Sequence, residues 1–238
     1  MQRKIEVCMS PALLNLYAIE NSIVVVIDVL RATSSMVYGI DNGATAIIPV
    51  AQVEECLAYK EHGYLLAAER NGEVVTGYDF GNSPFSYTKE KVAGKTVVLT
   101  TTNGTKALHM ARERAAEVVI GSFLNLTALS NWLKSEDKDV LLLCAGWKDQ
   151  INLEDTLFAG AVVQQLRVVF DEFDDSSVLA EDLYQLAQHD LRAYMHKSSH
   201  SHRLAALNIE EDVKFCLQLD ICEAIPVLRG DALVALVV

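Results

Sequence analysis

Three short runs in the chain are continuously apolar and rich in β-branched residues or leucine: IVVVI at 23–27, TVVL at 96–99 and VLLL at 140–143. Unbroken apolar runs of this length read as strands buried on both faces, the habit of a parallel sheet. Each run stops in a small or polar turn, at 28–35, 100–105 and 145–152. Beyond each turn the apolar positions switch to helical spacing: Met36, Val37 and Ile40 before Gly43, then Ala107, Leu108 and Ala111, then Leu157, Ala161, Val162 and Leu166. Further short strands are predicted at 46–50 and 118–120, so the order strand, turn, helix, strand occurs twice. Asn71-Gly72 between 65–69 and 73–76, and Gly230-Asp231 between 224–229 and 232–237, predict two hairpins.

The expected fold class is α/β: a largely parallel sheet of βαβ units with flanking helices and a smaller mixed or hairpin-containing lobe. No Pro- or Ser-rich linker interrupts the 238 residues. Residues 1–238 therefore read as a single compact α/β unit, with two interleaved lobes as the alternative division. Parallel strands send their C-terminal ends to one edge of a sheet, so the three polar turns are expected to converge there on a ligand.

Charge narrows the ligand. The chain carries 32 Asp and Glu against 20 Lys and Arg, a net −12. That balance lacks the basic stripe of a nucleic-acid binder. An anionic substrate would need local cations or a metal to enter such a field. No apolar run approaches the ~20 residues that cross a bilayer. Residues 1–10 hold no apolar signal core. A cytoplasmic protein with no nucleic-acid or membrane partner is expected. The five cysteines are odd in number and never spaced Cys-x-x-Cys, and Cys144 at the end of VLLLC reads as a buried thiol.

Chemistry concentrates in the turns. Asp28 ends the first apolar run and Arg31, Thr33 and Ser34 follow within one helix-starting turn. Such a turn suits a metal-bound oxyanion, with Asp28 on Mg²⁺, Arg31 gripping phosphate and hydroxyls beside free helix N–H groups. It equally suits a helix cap with Arg31 paired to Asp28, and spacing favours neither. Asp-x-Asp, the strand-end pattern of haloacid-dehalogenase phosphatases, is not met, because Leu30 stands at the second aspartate's place.

The second turn, Thr100 to Lys106, contains Thr102, Asn103, Gly104 and Thr105; it lacks the frame of a Walker A loop but offers close backbone approach at Gly104. The segment Asp79-Phe80-Gly81-Asn82-Ser83-Pro84 reads as an ordinary turn, or as bringing Asp79 and Asn82 with Glu69 to the same anion or metal site. Asn152 with Asp155 at N3 forms a near capping box; equally, Glu154 and Asp155 are natural metal ligands or a base. His196, His200 and His202 among serines read as a solvated helix end. The run Asp171 to Asp175 reads as a charged loop before a helix, and Asn208 as a helix cap.

Taken in order, VVIDVLRATSSM (25–36), GYDFGNSP (77–84), TTNGTKAL (101–108), LCAG (143–146), LEDTLFAG (153–160) and EEDVKFCLQLD (210–220) resemble the 2-phosphosulfolactate phosphatase family across nearly the whole chain. The resemblance implies an α/β fold of its own and Mg²⁺-dependent hydrolysis of 2-phospho-3-sulfolactate to sulfolactate and phosphate, a step on a route to coenzyme M elsewhere in the family. It implies a small substrate, phosphorylated and sulfonated, and is compatible with a homodimer. Carried onto this chain, it points to Asp28, Arg31 and Asp155 as catalytic groups. Substrate contacts would come from Thr33, Ser34, Arg70, Asn82, Ser83, Thr102, Asn103, Gly104, Thr105 and Arg203. Metal ligands would come from Asp28, Glu69, Asp79 and Glu154. The chain departs from the family's expected glycines at Ala68, Ser201 and Asn208. A different small phospho-acid substrate, or a non-catalytic anion binder on the same fold, are the alternatives to this reading.

Overall fold

A computed structural model describes residues 2–70, 73–101, 103–205, 207 and 209–237. In chain order the elements are β1 (Lys4–Cys8), β2 (Ser22–Ile27), α1 (Ala32–Asp41), β3 (Ala46–Pro49), α2 (Val53–Ala58), β4 (Leu65–Arg70), β5 (Glu73–Val74), α3 (Lys89–Val92), β6 (Thr96–Thr100), α4 (Gly104–Arg112) and β7 (Glu117–Gly121). They continue with α5 (Leu126–Ser135), β8 (Asp139–Cys144), α6 (Leu153–Leu166), β9 (Glu172–Phe173), α7 (Asp175–Ala187), α8 (Leu191–Met195), α9 (Ser199–Ala205), α10 (Glu210–Cys216), β10 (Pro226–Arg229) and β11 (Ala232–Ala235).

Among the described residues the strands form one 11-stranded sheet in the order β5-β4-β6-β3-β11-β10-β7-β2-β8-β1-β9. Two parallel blocks make it up. Strands β7, β2, β8 and β1 pair in parallel on one side, and β3, β6 and β4 on the other. The C-terminal hairpin β10–β11 joins them antiparallel, through Val227 beside Val119 and Leu233 beside Ile47. That hairpin thus lies inside the sheet rather than in a lobe beside it, while the β4–β5 hairpin sits at the sheet's edge. Its Asn71-Gly72 turn lies outside the described residues.

The two repeats read from the sequence are the two crossings of this seam. Helix α1 leads from β2 in the first block to β3 in the second, and α4 leads from β6 back to β7. Apolar side chains alternate across β2, with Ile23, Val25 and Ile27 packing on α5, α6 and α7. Val24 and Val26 pack on the other face with Met36, Val37, Ala107 and Leu108 of α1 and α4. Each such buried Val or Ile contributes roughly 1.5–3 kcal/mol.

The strand β1 was not read from the sequence, because Lys4 and Glu6 interrupt its apolar positions. The acidic run after Phe170 is not all loop: Glu172–Phe173 pair with β1, and Asp174 caps α7 by accepting the Ser177 N–H. All five cysteines are buried thiols. Among the described residues no helix is long and apolar enough to cross a membrane.

Candidate active site

The three strand-end turns meet at the C-terminal edge of the sheet. In the first, the Asp28 N–H donates to Thr33 Oγ1 at 3.1 Å and the Thr33 N–H returns to the Asp28 carbonyl at 2.9 Å. The Ser34 hydroxyl donates to the Val29 carbonyl at 2.8 Å. These hydroxyls fold the turn back on itself. Neither caps α1, whose N-cap position is Arg31 with no side-chain cap bond. The Asp28 carboxylate is buried, and the nearby Ala32 backbone N–H favours its charged form.

The second turn presses against it. A Cβ placed on Gly104 would lie 2.8 Å from Asp28 Oδ2 and 2.9 Å from the Ala32 Cβ. Only glycine lets the N-terminus of α4, with its partial positive charge, stand this close to the carboxylate. Thr105 ties the turn together, its N–H on Thr101 Oγ1 at 3.2 Å and its hydroxyl on the Thr101 carbonyl at 2.6 Å. Asn103 Oδ1 accepts the Lys148 N–H at 3.3 Å and so joins the second turn to the third.

Asp155 locks the third turn to the first. It is fully buried, with Oδ1 on the Val29 N–H at 2.9 Å and Oδ2 on the Gly146 N–H at 3.0 Å. The capping box considered for Asn152 and Asp155 does not form: Asn152 makes no side-chain cap bond, and its Oδ1 is buried without a partner among the described residues. Tertiary bonds took the carboxylate that the local motif would have used. Gly146 has φ +61, and a Cβ there would meet the Gln150 carbonyl at 2.2 Å.

Electrostatics separates the two aspartates. Burial pushes the Asp28 carboxyl up to about 6; the charge of His200 opposes this, and Glu154 and Glu69 reinforce it. Burial, with repulsion from Asp28 and Glu154, holds Asp155 well above the usual carboxylate range against the pull of its two N–H bonds.

Glu154 has no exposed surface and pairs with His200 Nδ1, while the Ser198 hydroxyl donates to it at 3.5 Å. The expectation of a solvated histidine cluster is corrected at His200, which is buried because α9 turns it inward onto that carboxylate. His202 is exposed and donates from Nε2 to the His196 carbonyl at 2.8 Å. The His200 ring lies 5.7 Å from that of Trp147, and the Arg203 guanidinium 4.6 Å from the Trp147 centroid.

Arg31 does not pair with Asp28. Its guanidinium, 5% exposed, pairs with Glu69 through one Nη and with Asp212 through the other. Burial lowers its proton affinity, yet the two carboxylates outweigh that and raise its pKa. Ser83 donates to the second oxygen of Asp212 at 3.1 Å. Asn82 is buried; its carbonyl accepts the Ser35 hydroxyl at 2.8 Å, and its Oδ1 has no partner among the described residues. Asp79 is exposed and accepts the Leu66 N–H at 2.8 Å. Lys106 pairs with the exposed Asp149 at 2.7 Å. The side chain of Arg70, together with Thr102 and Asn208, lies outside the described residues.

Among the described residues, no group of three or more His, Cys, Asp or Glu has the spacing of metal ligands. Of the four carboxylates expected to share a metal, Glu69 is drawn to Arg31, Asp79 to a backbone N–H and Glu154 to His200. Asp28 keeps the least committed carboxylate. That still fits Mg²⁺, which is commonly held by one or two carboxylates together with substrate phosphate oxygens and water.

Two residues of this site carry no functional role in the sequence reading: Asp212, present only within a motif, and His200, read there as part of a solvated helix end. Asp212 sits in the EEDVKFC segment, where a periodicity reading places it on a polar helix face; its partner lies 181 residues away. Nothing local distinguishes His200 from its histidine neighbours.

A carboxylate-rich edge of a parallel sheet, beside a helix N-terminus and a buried arginine, makes this edge the candidate active site. The chain belongs to the 2-phosphosulpholactate phosphatase family, whose model matches residues 8–231. It is 45% identical over 204 residues to a probable 2-phosphosulfolactate phosphatase of Thermotoga petrophila, covering 86% of this chain and 88% of that protein. Proteins of the same name in Thermotoga maritima and Caldanaerobacter subterraneus are 43% and 40% identical, covering 86% and 87% of this chain and 88% of each relative. Family and motifs agree on a phosphoric monoester hydrolase.

Proposed function

We propose that the chain is a cytoplasmic, Mg²⁺-dependent phosphatase that hydrolyses the phosphate monoester of 2-phospho-3-sulfolactate to sulfolactate and phosphate. The names of its relatives support the substrate. The observation that carries the assignment of the site is Asp28: a buried carboxylate held near pKa 6, directly against the glycine that opens α4.

Asp28 would hold Mg²⁺, an ion commonly bound by one or two carboxylates. Bound there, the ion supplies charge neutralisation of the phosphoryl oxygens and a lowered pKa for the attacking water. The chain's own groups do the rest. N–H groups opening α4 and the free N–H edges of Arg31 receive phosphoryl oxygens. The water oxygen bonds to phosphorus and gives up one proton to solvent, the ester P–O bond breaks, and the departing ester oxygen takes a proton. His200, fixed through Nδ1 by Glu154, keeps Nε2 to deliver it. Arg203 on Trp147 faces the carboxylate and sulfonate end of the substrate. Asp155 does not touch substrate in this account; its two backbone bonds hold the first and third turns together. Thr33 and Ser34 likewise shape the Asp28 turn.

The test is phosphate release from a panel of phospho-acids, with Mg²⁺ and with excess chelator. Release from 2-phospho-3-sulfolactate that exceeds the rest of the panel, vanishes with chelator and returns with Mg²⁺ is the expected result. Equal turnover in chelator rejects the metal, and preference for another phospho-acid rejects the substrate.

A further inference from the structure

The Arg31 guanidinium is held from two sides. Glu69 reaches it from the end of β4 and Asp212 from α10, and Arg31 and Asp212 are both almost wholly buried. Burying a guanidinium requires such partners. Two carboxylates around one guanidinium, however, leave the trio with a net charge of −1. As a counter-charge for an arriving phosphate, Arg31 is therefore already spent. What it retains is direction. A guanidinium presents five N–H donors in a rigid plane, and each carboxylate engages one Nη. The remaining N–H groups are aimed by whatever fixes that plane.

Asp212 is the side chain dedicated to fixing it. Oδ2 meets Arg31, and Oδ1 accepts the Ser83 hydroxyl at 3.1 Å. Both oxygens are thus committed, and Asp212 stays beside Arg31 without needing substrate. Ser83 belongs to the turn whose preceding residue, Asn82, accepts Ser35 of α1 at 2.8 Å. The clamp therefore closes back onto the helix that Arg31 opens.

The geometry points to Asp212 as a positioning residue of the phosphatase site, setting the plane in which Arg31 offers its free N–H groups to the phosphoryl oxygens. This rests on the proposed reading of Arg31 as a phosphate contact, and the experiment keeps the two apart. Turnover is measured for wild type, Asp212→Asn, Arg31→Lys and the double variant, with thermal melting to correct for folded protein. Asn is nearly isosteric and accepts from Ser83, so the fold survives. Loss of aim should lower kcat by on the order of 10- to 100-fold, as for small misplacements of a catalytic contact. KM should move less than threefold, because substrate still binds through the metal and the α4 terminus.

The decisive reading is the cycle. Arg31→Lys should cost heavily in the wild-type background and add little once Asp212 is Asn, since a misaimed guanidinium has little left to lose. Additive losses, or an Asp212→Asn protein that melts lower with unchanged kcat, overturn the proposal and leave Asp212 structural. If wild type hydrolyses no member of the panel, the functional reading fails by itself. The clamp is then read from calorimetric titration with inorganic phosphate: weaker binding in Asp212→Asn, non-additive with Arg31→Lys, upholds it. Equal affinity, or no phosphate binding by wild type, overturns it.

Discussion

Asp28 and Asp155 stand at the same sheet edge, both buried and both pushed above the ordinary carboxylate range by burial and by neighbouring carboxylates. Their hydrogen bonds differ. Asp155 spends both oxygens on backbone N–H groups of two different turns. Asp28 has the nearby Ala32 N–H to favour its charge, and its Oδ2 lies against Gly104 at the opening of α4. The same residue type is therefore a brace in one place and, in the function proposed, a reactive group in the other. Satisfaction of its acceptors tells them apart better than burial or proton affinity does.

The largest effect that sharpens this contrast is expected from Gly104→Ala. The added methyl would displace the Asp28 carboxylate from 2.8 Å while leaving Asp155 alone. Turnover should fall on the order of 100-fold with little change in Tm. An unchanged kcat would mean that the α4 terminus does not face the reaction.

Next is Asp155→Asn, which turns an NH₂ toward one of the two N–H groups it now satisfies. Leaving one buried donor unpaired costs about 1–3 kcal/mol, and at this chain length each kcal/mol lowers Tm by roughly 2–4 °C. A variant that melts like wild type would contradict the brace.

Comparable in size but opposite in sign is Asp28→Asn without metal. A folded pKa near 6 against an unfolded value of 3.8 means that Asp28's contribution is fully present below about pH 4 and is lost as pH rises through 6. The loss is on the order of 3 kcal/mol. Metal-free Asp28→Asn should therefore melt above wild type at pH 8, and the gap should close near pH 4. Mg²⁺ should raise the Tm of wild type at pH 8 and leave that of the variant unmoved. A Tm gap independent of pH would place the strain elsewhere.

The smallest effect is Lys106→Ala. Its ion pair with Asp149 is half exposed, so stability should change by about 0–1 kcal/mol. A large loss of turnover would bring Lys106 into the site.

What the sequence disclosed follows the range of the forces involved. Strands β2, β6 and β8 and the helices after them were legible because burial on both faces demands continuous apolar runs. The turns bearing Asp28, Gly104 and Asp155 were legible because parallel strands deliver them to one edge. Strand β1 escaped because its alternating charges mark a strand only beside its neighbour β8. The hairpin was legible, but not its place inside the sheet, since a turn signal carries no information about partners. The pairing of Arg31 with Asp212, and of Glu154 with His200, closes across 181 and 46 positions. No local pattern encodes such pairs; the ion pair between Asp28 and Arg31 gave way to Glu69 and Asp212, and the capping box at Asn152 to the Asp155 bonds with the Val29 and Gly146 N–H groups.

The most direct test of the contrast is kcat per folded molecule for Asp28→Asn beside Asp155→Asn, measured on 2-phospho-3-sulfolactate with saturating Mg²⁺. The account predicts a loss of two decades or more for Asp28→Asn, about 2.7 kcal/mol of transition-state stabilisation, and a loss within about tenfold for Asp155→Asn. Near-normal turnover in folded Asp28→Asn, or a collapse in Asp155→Asn equal to it, would contradict the account.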